Sequence, residues 1–174
     1  MHSAIASQPS NTVTKLYEGA VEKYEFKKVK TTLQALESKS LTLITMRTRD
    51  KQVCETVMGY MIAKVAKKFN IGKNINPEQI RDTIESIFED YYYLRLSDLY
   101  LVLRNGVKGK YGQIYDRFDE SVLMGWLEKY TEERFQVAEE RQLAQHDAIT
   151  SDEKGRKYNG FVNDLYIKYQ KHKK

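Results

Sequence analysis

The chain of 174 residues contains one cysteine, Cys54, and only two prolines, Pro9 and Pro77. A single thiol cannot form an intramolecular disulfide, so a disulfide-stapled secreted domain is excluded and the cytoplasm is the expected compartment. Cys54 lies at helical spacing from Met58 and Met61, which predicts an ordinary buried thiol. A chain of this length can bury a core without a disulfide or a structural metal.

Long apolar runs are also missing. No run approaches the ~20 residues that a helix needs to span a bilayer, so no contact with a membrane is expected. The first residues, MHSAIASQPSNT, have neither the basic start nor the apolar stretch of a signal peptide. We predict that residues 1–12 form a disordered arm.

Residue sets for catalysis are scarce. The three histidines, His2, His146 and His172, lie far apart, and no two have the i, i+4 spacing that places a pair of imidazoles on one metal. Ser97 lies in no nucleophile-elbow sequence, and Cys54 has no histidine near it in the sequence. The sequence therefore predicts a non-enzymatic protein with no metal site and no cofactor.

Charge is distributed unevenly along the chain. Residues 1–76 hold 13 Lys and Arg against six Asp and Glu, residues 77–145 hold nine against 14, and residues 146–174 hold seven against four. Basic ends can follow the phosphates of a nucleic acid through counterion release. The same lysines are also typical of solvated helix faces, so the charge pattern leaves both interpretations open.

Apolar residues recur at spacings of three and four through most of the chain, which predicts an all-α domain of about six helices. We expect one long helix or a broken pair over 13–38, and helices over 51–69, from 77, from 97, over 119–144 and from 158. Residues 41–46 alternate like a short strand but have no partner strand, so they are interpreted as an extended linker. Residues 146–157 lack periodicity and predict a second linker. The expected division is an arm at 1–12, a helical domain at 13–145, and a linker with a last helix and basic tail at 146–174.

Helix boundaries are marked by specific residues. Asn76, Pro77 and Gln79 predict the clearest one, with an acceptor at the N-cap, proline at the first helical position and a glutamine placed to close a capping box. Acceptor side chains ahead of apolar runs predict three further starts, at Asp50, Ser97 and Asp119. Gly106 is expected to end the helix that Ser97 begins, by adopting a left-handed conformation.

A glycine-hinged basic loop follows, with the sequence GVKGKYG over residues 106–112. It lacks the spacing G-x-x-x-x-G-K-[ST], and the preceding segment is helical where a P-loop requires a strand, so nucleotide binding of that type is excluded. Cations beside aromatic rings suit single-stranded nucleic acid, because bases stack on the rings while cations follow the backbone. The candidate nucleic-acid site consists of Arg104, Lys108, Lys110, Tyr111 and Arg117. The alternative is that Tyr111 and Tyr115 pack into the core and that the glycines only turn the chain.

Tyrosine is abundant, with 13 residues in all and three in a row at Tyr91, Tyr92 and Tyr93. Three neighbours on a helix point about 100° apart, so at least one should reach solvent or a partner. We expect Tyr91 in the core and Tyr92 exposed. Tyr92 and Tyr93 are the candidate protein-binding residues, since tyrosine is favoured at interfaces.

The run over residues 96–134 carries the motifs L-S-D-L, R-N-G-V-K-G-K-Y-G, W-L-E-K-Y and E-E-R. This quarter of the chain resembles a family of small uncharacterised proteins encoded by phages and mobile elements of gut bacteria. The layout is similar to that of phage replication accessory proteins such as helicase loaders, which are small, helical and non-catalytic. The resemblance implies a protein that bridges DNA and a motor protein. Because the chain has no Walker motif, it implies the adaptor type of loader and not the ATPase type.

Two functions from different classes remain open. The first is a non-enzymatic accessory protein in DNA replication that binds nucleic acid through the basic loop and a basic protein partner through the acidic middle of the chain. The second is a structural or assembly protein, such as a virion or scaffold component, whose tyrosines form subunit contacts.

Overall fold

The computed structural model describes residues 11–69 and 71–171, with side chains up to residue 146. Seven α-helices account for most of the described chain and confirm the all-α prediction. The helices are α1 (Asn11–Tyr24), α2 (Thr32–Glu37), α3 (Leu43–Arg49), α4 (Lys51–Ala66), α5 (Pro77–Asp90), α6 (Leu96–Val107) and α7 (Glu120–Lys171). A 3-10 turn at Phe26–Lys28 lies between α1 and α2, so residues 13–38 form the broken pair. Two short strands, β1 (Lys73–Asn74) and β2 (Arg117–Phe118), pair in parallel.

The chain divides into two units: the first extends to Arg134, and the second comprises Phe135–Lys174. The first unit holds the hydrophobic core. In the second, residues 146–157 belong to α7, so the linker expected there is wrong. Its charged residues are compatible with a helix, and a single glycine costs only ~1 kcal/mol. Of the predicted arm, Asn11 and Thr12 belong to α1 and residues 1–10 lie outside the described residues; of the basic tail, 172–174 also lie outside.

Three predicted helix starts are confirmed by their hydrogen bonds. The Asp50 carboxylate accepts the N–H of Val53 at 2.9 Å, and the Asp119 carboxylate accepts the N–H of Val122 at 3.2 Å. At α5 the capping box is complete: the Asn76 side chain accepts the N–H of Gln79, and the Gln79 side chain accepts the N–H of Asn76, both at 2.9 Å. These caps satisfy N–H groups that the first helical turn leaves without partners.

Residues 41–46 differ from the expected extended linker. Thr42 caps α3, which begins at Leu43, although an antiparallel bridge does pair Thr42 with Arg95. The N–H of Leu43 donates to the carbonyl of Leu94 at 2.7 Å. The partner for this segment therefore comes from about fifty residues away, where sequence spacing gives no sign of it.

Helix α6 begins and ends differently from the prediction. Its N-cap is Arg95, whose N–H donates to the Asp98 carboxylate at 2.7 Å, while Ser97 is buried and bonds the Ser40 hydroxyl. Gly106 lies inside the helix, and the left-handed conformation occurs instead at Gly109, with φ of 81°. Glycine is needed at position 106 because α6 packs closely against α7 there: a Cβ on residue 106 would lie 2.2 Å from the Trp126 ring.

We predict that Gly106→Ala lowers the free energy of unfolding by ~1–3 kcal/mol, because the added methyl group overlaps the Trp126 ring and forces α6 and α7 apart. Gly125→Ala is the matched control, since a Cβ there meets no atom within 4 Å. The control should be neutral or more stable by up to ~1 kcal/mol. Urea denaturation measures both variants; equal stability of the two would contradict the close contact.

The Cys54 side chain is fully buried, as the sequence predicts, with Sγ 3.9 Å from the Met58 sulfur. Burial raises the pKa of the thiol to about 12, with a further contribution from the neighbouring Glu55 carboxylate. A thiol with this pKa is protonated at neutral pH and is a poor nucleophile. Cys54 is therefore a core residue.

Because of this raised pKa, the free energy of unfolding should vary with pH in the alkaline range. The unfolded thiol loses its proton near pH 9, whereas the folded thiol keeps it to about pH 12. The protonated thiol therefore makes its full contribution to the free energy of unfolding below pH 9. Above pH 9 this contribution falls by up to ~1.4 kcal/mol per pH unit. We predict a shallower decline for Cys54→Ala between pH 8.5 and 9.8, measured by urea denaturation; parallel declines in both proteins would contradict the assignment.

Candidate functional site

The basic loop is held against α7 and is less available than the sequence predicts. The Lys110 ammonium pairs with the Glu133 carboxylate, and the Lys129 ammonium donates to the Tyr111 carbonyl at 2.7 Å. Burial alone would raise the pKa of Glu133, but hydrogen bonds from Lys110 and Thr32 outweigh it and hold that pKa below its usual value. Glu133 therefore stays ionised and offsets the charge of Lys110.

Tyr111 is buried, with only 6% of its surface exposed, and its ring packs near Trp126 with centroids 6.3 Å apart. The prediction that Tyr111 stacks on nucleic-acid bases is corrected, because its ring belongs to the core. Tyr115 is the opposite case, with 82% of its surface exposed. The alternative interpretation of the two tyrosines therefore holds for Tyr111 and fails for Tyr115.

Arg117 lies on β2, and its guanidinium is 3.3 Å from the Asp119 carboxylate. The groove beside it contains Asp116 and Glu128 as well as Lys129. Cations and carboxylates therefore alternate there, and the groove has no excess of positive charge with which to attract a polyanion.

The consecutive tyrosines were expected on a helix. In the structure they follow α5, which ends at Asp90. Tyr91 is half-buried against the core and Tyr92 is 49% exposed. The ring of Tyr93 contacts that of Tyr92 edge-on, and the guanidinium of Arg134 lies 6.0 Å from the centre of the Tyr93 ring. Tyr92 is thus accessible, while Tyr93 is engaged within the protein.

Arg104 and Lys108, the two remaining candidates, line a cavity of about 350 Å³ between α1, α4 and α6. Three more cations that the sequence did not single out line the same cavity. We call this site the basic pocket and define it by its cations: Lys27, Lys64, Lys68, Arg104 and Lys108. The four lysines are exposed, and Arg104 is half-buried.

The described residues that line the basic pocket include no carboxylate. Within residues 11–69 and 71–146, no ion pair joins any of its five cations to a carboxylate. The contrast with Lys110 is direct, because that lysine has an acidic partner. Among the described residues, no carboxylate therefore neutralises the cations of the basic pocket.

Other groups stabilise these cations in place of carboxylates. The ammonium groups of Lys27 and Lys64 lie 5.0 and 5.6 Å from the centre of the Tyr17 ring, whose π face attracts cations. Arg104 donates to the Val29 carbonyl at 3.3 Å. Lys68 and Lys108 follow the ends of α4 and α6, where the helix dipole favours positive charge.

Tyr17 adds no negative charge to the basic pocket at neutral pH. Burial, reinforced by the neighbouring phenols of Tyr100 and Tyr60, raises the pKa of Tyr17 to about 12. Its hydroxyl therefore stays protonated. The result is a cavity with unneutralised cations at its walls and neutral rings between them, which is an arrangement suited to binding anions.

Lys27, Lys64 and Lys68 escaped the sequence analysis because they lie at least 36 residues before Arg104 and Lys108 in the sequence. Lys64 and Lys68 have i, i+4 spacing, which predicts one face of a continuous helix and was an available signal, although in the structure Lys68 follows the end of α4. Their proximity to Arg104 and Lys108 depends on how α4 packs against α6, and no local pattern encodes that.

Two kinds of site are absent from the described residues. No group of three or more His, Cys, Asp or Glu side chains there could hold a metal ion. Among the same residues, no helix combines the length and the apolar character that crossing a bilayer requires. Comparison with family models, with curated proteins and with solved structures produced no match.

Proposed function

We propose that this protein is a non-enzymatic accessory protein that binds nucleic acid through the basic pocket. The single observation that supports the proposal is the convergence of five cations with no ion-paired carboxylate among the described residues. Phosphate groups are the natural counterpart of such a cluster, since each bound phosphate releases condensed counterions from the nucleic acid. The proposal moves the site from the basic loop to the cavity beside it and keeps Arg104 and Lys108.

The biological setting of the proposal is DNA replication in a phage or mobile element, with the protein acting in the host cytoplasm. Its support is the resemblance of residues 96–134 to that family, together with the adaptor-type layout. A replication adaptor also needs a protein partner, and the exposed ring of Tyr92 offers a contact for one. The proposal therefore has two contacts, phosphates at the basic pocket and a protein at Tyr92.

The first test is Lys64→Ala combined with Lys68→Ala. We expect weaker binding of a fluorescent single-stranded oligonucleotide at low salt, since two unneutralised cations are lost. The dependence of log affinity on log salt concentration should become shallower by about 0.7 for each phosphate contact removed. Fluorescence anisotropy over a series of salt concentrations measures both quantities.

The matched control is Lys28→Ala combined with Lys110→Ala. It removes the same charge, but both lysines are paired with the protein's own carboxylates, Glu25 and Glu133. We expect this control to bind nearly as the unmodified protein does. Equal losses in the two double variants would mean that only net charge matters, and absence of binding at low ionic strength would refute the proposed function.

A further inference from the structure

The basic pocket has a feature that phosphate binding alone does not require. Its interior is apolar, and the lining there consists of Met61, Val65, Leu103 and Val107 with the rings of Tyr17 and Tyr100. Its volume of about 350 Å³ lies within the range of ~300–1,000 Å³ typical of small-molecule sites. A ligand that contacted the basic pocket only through a phosphate backbone would leave its apolar interior unfilled. The ligand therefore combines an apolar part with negative charge.

We propose that the basic pocket receives one unstacked base of a single strand, while its cations bind the phosphates on either side of that base. This inference rests on the proposed function and deepens it by naming the form of nucleic acid. A base is planar and presents an apolar face, and a phosphate lies on each side of it along the strand. That combination matches an apolar chamber with positive charge at its walls.

The placement of the cations agrees with a ligand that enters the chamber. Lys27 belongs to the 3-10 turn, Lys64 to α4 and Arg104 to α6, so positive charge surrounds the cavity on several elements. Cations that bound the phosphates of a duplex would be expected along one flat face of the protein. Phosphates on both sides of an inserted base meet cations from different elements.

A paired base cannot reach this chamber without leaving its duplex. Unstacking and unpairing a base costs a few kcal/mol, whereas bases of a single strand are already free to turn outward. The pocket is therefore selective for single strands, and the apolar interior supplies the affinity that distinguishes a base from a bare sugar-phosphate chain. Stacking of a base on an aromatic side chain strengthens binding substantially.

The test compares three fluorescent ligands of equal phosphate number with the full chain at one salt concentration. They are a thymine oligonucleotide, an abasic strand of the same length and a blunt-ended duplex. We expect the thymine strand to bind at least about five-fold tighter than the abasic strand, which is the gain expected from one base contact. The duplex should bind no tighter than the abasic strand.

Each outcome of this comparison separates the two proposals. Equal affinity for all three ligands would overturn the base-insertion inference and leave the proposed nucleic-acid function standing as electrostatic binding. No binding of any ligand would refute the proposed function itself. Vesicles of phosphatidylglycerol serve as a competitor: if they displace the strand and bases give no advantage, the chamber accepts an acidic lipid and the inference is wrong.

A variant that fills the chamber gives an independent readout. Val107 is half-buried at the pocket, and Val107→Met places a longer apolar side chain there without adding an aromatic ring and leaves all five cations in place. We expect the advantage of the thymine strand over the abasic strand to disappear, with affinity for the abasic strand retained. Circular dichroism confirms that the variant is folded, and an unchanged preference for bases in a folded variant would contradict the inference. If the variant does not fold, the comparison of ligands on the unmodified protein decides.

Discussion

One buried carboxylate, that of Asp98, fixes the position of α6 against α7. The Tyr130 hydroxyl and the Arg134 guanidinium, both on α7, donate to one of its oxygens, and the N–H of Arg95 donates to the other. Because a buried charge without such partners is costly, α6 cannot slide along α7 without leaving Asp98 unpaired. The contact of Gly106 with the α7 tryptophan holds the other end of the helix. The residues of α6 that line the basic pocket are fixed by these two contacts.

The basic pocket and the basic loop show how pairing decides which cations are available. Lys110 lies at the end of residues 104–110, which hold three cations and no carboxylate, yet α7 supplies a carboxylate for it. Arg104 and Lys108 were identified from the sequence and do line the cavity. The three other lysines of the cavity, which lie in the 3-10 turn, in α4 and just after α4, were not identified. A charge count along the chain cannot distinguish these cases, because the neutralising or reinforcing group lies on another element. Only the packing of α4, α6 and α7 separates an available cation from a paired one.

The same division between local and distant causes explains which parts of the fold were predictable. The caps at Asp50, Asn76 and Asp119 depend on residues two or three positions apart, so sequence spacing identifies them. The start of α3 depends on backbone hydrogen bonds to residues 92 and 94, and the role of Gly106 depends on a ring from α7. Both were misjudged because glycine and β-branched residues have local preferences that tertiary contacts override. The long α7 was divided wrongly for a related reason, since absence of apolar periodicity does not end a helix of charged residues.

The central claim is that the cations of the basic pocket are the ones available to an anion. NMR resonances of the lysine side chains, followed while a short thymine oligonucleotide is added at low salt, test it most directly. The account predicts that the signals of Lys27, Lys64, Lys68 and Lys108 shift together and saturate, while that of the ion-paired Lys110 changes little. Shifts spread evenly over all lysines, or confined to Lys110 and its neighbours in the loop, would contradict the account.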